Sequence, residues 1–215
     1  MSSFPIAITI SRQLGCGGGC IAQRLANRLG YKYLDREILQ RAAEALGDDV
    51  AMLEPCDERI SPLWTSLLNT FVVSSVPEVL YLPQNRLPTD RELFSAESTV
   101  IRQVAAQESC IIVGRGGFHL LQDHPHHLAI ALWAPLAWRV ARVVAIYHIS
   151  ETEARQMLSE SDHNRSCFIR TMTGQAWMDM RLFHLCLNTG ALGLELAESI
   201  LWDYICALKN DRDIS

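Results

Sequence analysis

The sequence predicts an α/β protein with a five-stranded parallel sheet covered by helices on both faces. Short β-branched or apolar runs recur along the chain, and stretches of helical period separate them. The first run opens directly into a glycine cluster, GCGGGC, at residues 15–20. Strands that alternate with helices cannot be joined by hairpins, so they align in parallel and bury both faces.

The first strand is read at residues 6–10, a β-branched run of the kind buried on both sides. Beyond the glycines, Ile21, Ala22, Leu25, Ala26 and Leu29 recur at helical spacing until Gly30 supplies a stop. Residues 31–34 form a second strand ending at Asp35, and residues 36–47 a helix closed by Gly47. A helix at 92–107 leads into the third strand, 109–114, and the fourth follows at 127–134. Helices at 136–147 and 150–161 precede the fifth strand, 183–189, and a helix at 194–209 closes the chain. Such a sheet binds its ligand at the carboxyl ends of its strands, where Ser11, Asp35, Gly114, Ala134 and Asn188 fall.

Two segments depart from the alternation. Residues 61–90 begin with a stripe of Leu63, Trp64, Leu67, Leu68 and Phe71 and end in a proline-rich loop, which reads as a helical insertion on the substrate side. Residues 159–177 are polar, hold Asp162, Arg165 and Arg170, and read as a mobile lid. Both belong to a single domain spanning residues 1–215. The stripe predicts self-association, as a homodimer or larger homo-oligomer, through residues 61–73.

With 49% hydrophobic and 20% charged residues, the chain can bury one sizeable core. A net charge of −5 speaks against a nucleic-acid partner, which needs an excess of clustered cations. Seven cysteines, an odd number lying mostly in apolar segments, fit a reducing cytoplasm. Cys110 and Cys186 read as small core residues. Cys16 and Cys20 have no second ligand pair at zinc spacing, so no metal site is expected of them. His119, His124, His126 and His127 surround Pro125 and read as solvated loop histidines. The first apolar run is too short for a signal peptide or a membrane span, so no membrane partner is expected either.

The glycine cluster lies between a strand and a helix, where backbone N–H groups can face an anion. A loop of the form G-x-x-x-x-G-K-[ST] wraps phosphates with those groups, while its lysine reaches the outer phosphates and a hydroxyl holds Mg²⁺. Here Gly17 keeps the second glycine, but Arg12 replaces the first, Gly18 the lysine, and Gly19 and Cys20 stand where hydroxyls follow it. Gly15, Cys16, Gly17, Gly18, Gly19 and Cys20 are therefore the expected phosphate-binding residues, through their backbone.

Taken in order, ITISRQLGCGGGCIAQRLANRLGYKYLDREIL, IIVGRGG, the D-x-x-R of Asp162 and Arg165, and LNTGALGLELAESIL resemble the cytidylate kinase-like family of P-loop proteins. The resemblance implies a nucleoside-monophosphate-kinase fold, with a monophosphate-binding insert and an arginine-bearing lid. It also implies phosphoryl transfer from ATP, with Mg²⁺, to CMP or dCMP. Asp35 then falls near the monophosphate site, and Arg115 matches the arginine of a Gly-Arg-Asp element that grips the acceptor phosphate. The aspartate of that element is here Gly116, and the lid arginine expected four residues before Asp162 is Leu158. Phosphoryl transfer needs fixed cations around the transferred oxygens, so some arginine must stand in for the lysine. Arg12 is the nearest in sequence, with Arg115 and Arg165 approaching from the cleft and the lid. An ATP-dependent kinase acting on a nucleotide or another small phosphate ligand is the leading expectation. A catalytically silent nucleotide-binding module and a self-associating scaffold are the alternatives.

Overall fold

A computed structural model describes residues 5–35 and 90–213. The expected helix at 36–47, the insertion as far as residue 89 and its apolar stripe lie outside the described residues.

Five strands form one parallel sheet in the order β2-β3-β1-β4-β5. They are β1 (Ala7–Arg12), β2 (Lys32–Leu34), β3 (Cys110–Val113), β4 (His127–Trp133) and β5 (Leu185–Asn188). Ile8 lies opposite Ile111 and Leu128, and Ile10 opposite Val113 and Ile130. Branched side chains in register on neighbouring strands give each face a continuous apolar surface, which helices must cover.

On one face lie α1 (Gly18–Leu29) and α7 (Leu194–Asp213). Ile21 and Leu25 from α1 and Leu201 and Ile205 from α7 pack there against Ile8, Ile10, Ile111 and Ile130. The opposite face receives α2 (Asp90–Gln107), through Val100, Ile101 and Val104 against Ala7, Cys110 and Ile112. The short α3 (Gly117–Leu120) is followed by Leu121, which joins the same cluster. Full burial of an Ile or Leu contributes about 1.5–3 kcal/mol, so these two clusters supply most of the force that closes the layers.

Beyond the strand ends, α4 (Leu136–Tyr147) and α5 (Glu151–Thr173) pair through Val140, Val143, Ala154 and Leu158. Ser150 starts α5 with a reciprocal cap: its Oγ accepts from the Glu153 N–H at 3.2 Å, and Glu153 Oε2 accepts from the Ser150 N–H at 2.8 Å. The helix then continues to Gly174 through the stretch expected to be a separate polar segment. No glycine or proline interrupts it, and buried Leu158 and Ile169 anchor both halves. A 3₁₀ turn, Met180–Leu182, and the short α6 (Thr189–Leu192) complete the described elements. Among the described residues no helix is long and apolar enough to cross a membrane.

Two expectations change. Cys186 is exposed, because β5 is an edge strand that buries only Leu187. His119 lies in α3, and His127 is no loop histidine either: it opens β4, is 9% exposed, and places Nε2 2.7 Å from Thr9 Oγ1. Burial, with the nearby His184 and His124 adding to it, pulls the His127 imidazolium down to about 4 from 6.5. Between those values the unfolded chain binds a proton that the folded chain refuses, so stability falls as pH drops through this window. The loss attributable to His127 is expected to reach about 3 kcal/mol by pH 4. Melting temperatures of wild type and His127→Gln from pH 7 to pH 4 check it. The wild type is expected to lose stability more steeply, and parallel curves would contradict the assignment.

Candidate functional site

β1 lies between β3 and β4, at the point where connections leave toward opposite edges of the sheet. The crevice at its carboxyl end is where an open α/β sheet takes its ligand. Out of this end comes the glycine loop. Gly15 and Gly17 adopt φ of 80° and 83°, the left-handed conformation that reverses the chain between β1 and α1. Gly17 caps α1, whose first turn carries no acidic residue. The loop is fastened from behind. Gln13 N–H donates to the Leu132 carbonyl at 3.2 Å, and Thr189 Oγ1 donates to the Cys16 carbonyl at 2.7 Å.

Cys16 and Cys20 occupy different surroundings. The Cys16 side chain is fully buried, with Sγ 3.5 Å from the Leu132 carbonyl, and burial pushes its thiol up. Cys20 is exposed on the first turn of α1.

Arg12 ends β1 and lays its side chain across two glycines. A Cβ on Gly18, where a phosphate loop carries lysine, would come within 2.7 Å of Arg12 Cβ. A Cβ on Gly114 would collide with Arg12 Nη1. The absence of side chains at 18 and 114 is thus what makes room for this arginine.

Two more guanidinium groups reach the same cleft. Arg115 follows β3 in a left-handed conformation, φ 51°, which a non-glycine residue adopts only when its surroundings enforce it. Buried Glu97 on α2 supplies that constraint, accepting from Arg115 Nε at 2.7 Å and pairing also with Nη2. The guanidinium also stacks on Phe168, 4.4 Å from the ring centre, and Phe168 meets Phe94 edge to face. Arg165 reaches down from α5, and its Nη1 donates to the Arg12 carbonyl at 2.9 Å.

The cleft has a volume of 720 Å³, with Ser11, Arg12, Glu97, Arg115, Arg165 and Trp177 among its lining. Burial, and then the charge of Arg12, lowers Arg165 to about 10; burial also lowers Arg12. Both keep their charge at neutral pH, and neither pairs with a carboxylate among the described residues.

The other expected residues stand around this group. Asp35, just past β2, hydrogen-bonds with Tyr33 and lies within electrostatic reach of Arg12. Asp162 is turned to Arg139 of α4, whose Nη1 is 2.9 Å from its Oδ2. Glu97, Phe168, Trp177 and Arg139 were not foreseen. Glu97 and Arg139 had a signal, since each is a charged residue at a buried position of an otherwise apolar helical stripe.

A five-stranded parallel sheet in this order, with a glycine loop between β1 and α1 and arginines at the carboxyl ends of the strands, defines the P-loop kinase fold. The chain belongs to the cytidylate kinase-like family, whose model matches residues 7–191. It is 27% identical over 190 residues to a cytidylate kinase of Sulfolobus acidocaldarius, covering 86% of each chain. Among solved structures it is similar to an uncharacterized protein of Eubacterium ventriosum, with TM-score 0.69, 20% identity and 93% and 98% of the two chains covered. It is also similar to a shikimate kinase of Bacteroides thetaiotaomicron, with TM-score 0.50, 12% identity and the same coverage. At these identities the solved structures speak for the fold.

The packing of Arg12 on Gly18 yields a contrast between neighbours. Gly18→Ala is expected to destabilise by about 1–3 kcal/mol, because a backbone-proximal Cβ must be displaced. Gly19 has no atom within 4 Å of an added Cβ, so Gly19→Ala in the same helical turn is expected to be neutral or stabilising by up to about 1 kcal/mol. Urea denaturation of both variants checks this; equal effects would show that Arg12 does not fill the space.

Proposed function

We propose that the protein is an ATP-dependent phosphotransferase that moves a phosphoryl group to a nucleoside monophosphate or another small phosphate-bearing acceptor. The observation that carries this reading is the convergence of Arg12, Arg115 and Arg165 on one cleft beside the glycine loop. Like charges gathered in a partly dry space repel one another, and a multiply charged anion relieves them. Phosphoryl transfer is catalysed mainly by such fixed charges and N–H dipoles, with little covalent work for the protein.

The backbone N–H groups of residues 15–20 receive the phosphates of ATP, and Arg12 takes the part of the missing lysine. Arg115, fixed by Glu97 and Phe168, holds the acceptor phosphate, with Asp35 toward the acceptor side. Arg165 comes from α5, and residues 159–177, its second half and the turn after it, act as a lid that moves with the whole helix. Mg²⁺ does not fit the loop's own donor set, since thiols at Cys16 and Cys20 are poor partners for a hard cation. Magnesium carried by ATP would be held by phosphate oxygens and water.

ATP-dependent phosphorylation of CMP, dCMP and a wider acceptor panel tests the reading. Slow but measurable turnover is expected, falling by about 10²–10³ in Arg12→Ala, the usual cost of one charge-stabilising donor. Arg115→Lys and Arg165→Lys are expected to weaken nucleotide binding despite the kept charge, because lysine lacks the planar fork. Gly18→Lys is expected to bring no gain, since its side chain must displace Arg12. Fast turnover by Gly18→Lys, with Arg12→Ala unchanged, would make the loop a decayed phosphate loop. Nucleotide binding with no acceptor phosphorylated would favour the silent module.

A further inference from the structure

Arg139 sits in α4 among Val140 and Val143, 5% exposed. Its Nη1 donates to the Leu14 carbonyl at 3.4 Å and stands 2.9 Å from Asp162 Oδ2 in an ion pair. One turn along α5 from Asp162, Arg165 donates to the Arg12 carbonyl. Thus α4 and α5 send guanidinium groups to the backbone oxygens of residues 12 and 14. Between them, Gln13 is tied to β4, its Oε1 accepting from the Ala134 N–H at 3.2 Å. A turn whose N–H groups face an anion must turn its carbonyls the other way, and donors that hold those carbonyls fix the N–H directions beforehand. The contact continues at Gly15, where a Cβ would lie 3.2 Å from Arg139 Cβ and from its carbonyl oxygen.

Stability alone gives little reason for this ion pair. Arg139 Nε and Asp162 Oδ1 are buried without a hydrogen-bond partner among the described residues. A buried pair with such gaps is often matched by apolar packing of similar volume. What the pair supplies that apolar side chains cannot is a direction for Nη1. We infer that Arg139 is a positioning residue that holds the glycine loop in its anion-receiving shape, oriented in turn by Asp162. The identity of the anion rests on the function proposed above; the loop's shape does not.

Cys16 gives a readout that needs no nucleotide. It is buried in the loop, Cys20 is exposed nearby, and Cys110 is buried in β3 away from it. Native protein is treated with iodoacetamide, and each cysteine is followed by peptide mass spectrometry. In Arg139→Gln the Cys16 rate is expected to rise roughly tenfold or more, as a local opening loses a charge-assisted hydrogen bond. Asp162→Asn gives a smaller rise, and Arg139→Lys, whose ammonium can reach only part of the pair's geometry, lies between wild type and Arg139→Gln. Arg142→Gln, whose parent side chain lies over Trp138, leaves Cys16 protected.

Unchanged Cys16 protection in folded Arg139→Gln overturns the inference. So does Cys110 accelerating in step with Cys16, which would mean a global loss of stability. If Arg139→Gln does not fold, Asp162→Asn decides by the same criteria. ADP titration is the second arm, with affinity expected to fall about tenfold in Arg139→Gln and to hold in Arg142→Gln. Should the wild type bind neither ADP nor pyrophosphate, the kinase reading fails while the Cys16 rates still decide the role of Arg139.

Discussion

Guanidinium groups are charged at neutral pH, and several of them at one edge of a sheet repel one another. Much of the architecture around the cleft answers that repulsion. Glu97 is buried on α2 against Arg115, and Asp162 faces Arg139 from α5. Arg165 is held by a backbone carbonyl and has no ion-pair partner among the described residues. These partners are unequal in strength. Arg115, with a carboxylate and an aromatic ring, is the most firmly held of the three.

The same constraint explains the glycines better than loop flexibility does. Lysine at position 18 and arginine at position 12 are competing solutions for one space, and the chain has the second. Replacing the customary lysine therefore need not mean that the site is lost. On the proposed function, the cation would enter from the end of β1 instead of from the first turn of α1.

Much of the fold was legible in the sequence. The strands were found because short apolar runs, β-branched in β1 and β3, recur between stretches of helical period, and α4 was found to the residue between Pro135 and His148. The second half of α5 was not. Its cleft-facing residues, among them Glu160, Asn164 and Arg165, dilute the apolar period until it resembles a polar loop. Arg12, Arg115 and Arg165 were named from sequence because each stands at a strand end or in a short motif. Glu97 and Arg139 were hidden for the opposite reason: they interrupt apolar stripes, and their partners lie on other elements. Sequence pattern reveals the period of a helix, whereas an ion pair across elements appears only once they are packed.

The continuity of α5 sets how the cleft can change shape. A helix of 23 residues is about 35 Å long and bends little, so its two ends cannot move independently. Arg165 stands roughly 20 Å along it from Glu151, which makes the short turn at His148 to Ser150 the natural pivot. Rotation there by about 5° shifts Arg165 by almost 2 Å, as far as separates a hydrogen bond from a broken one. Opening would thus work as a lever: a few degrees at the pivot would withdraw Arg165 from the Arg12 carbonyl and carry Phe168 away from Arg115 in the same stroke.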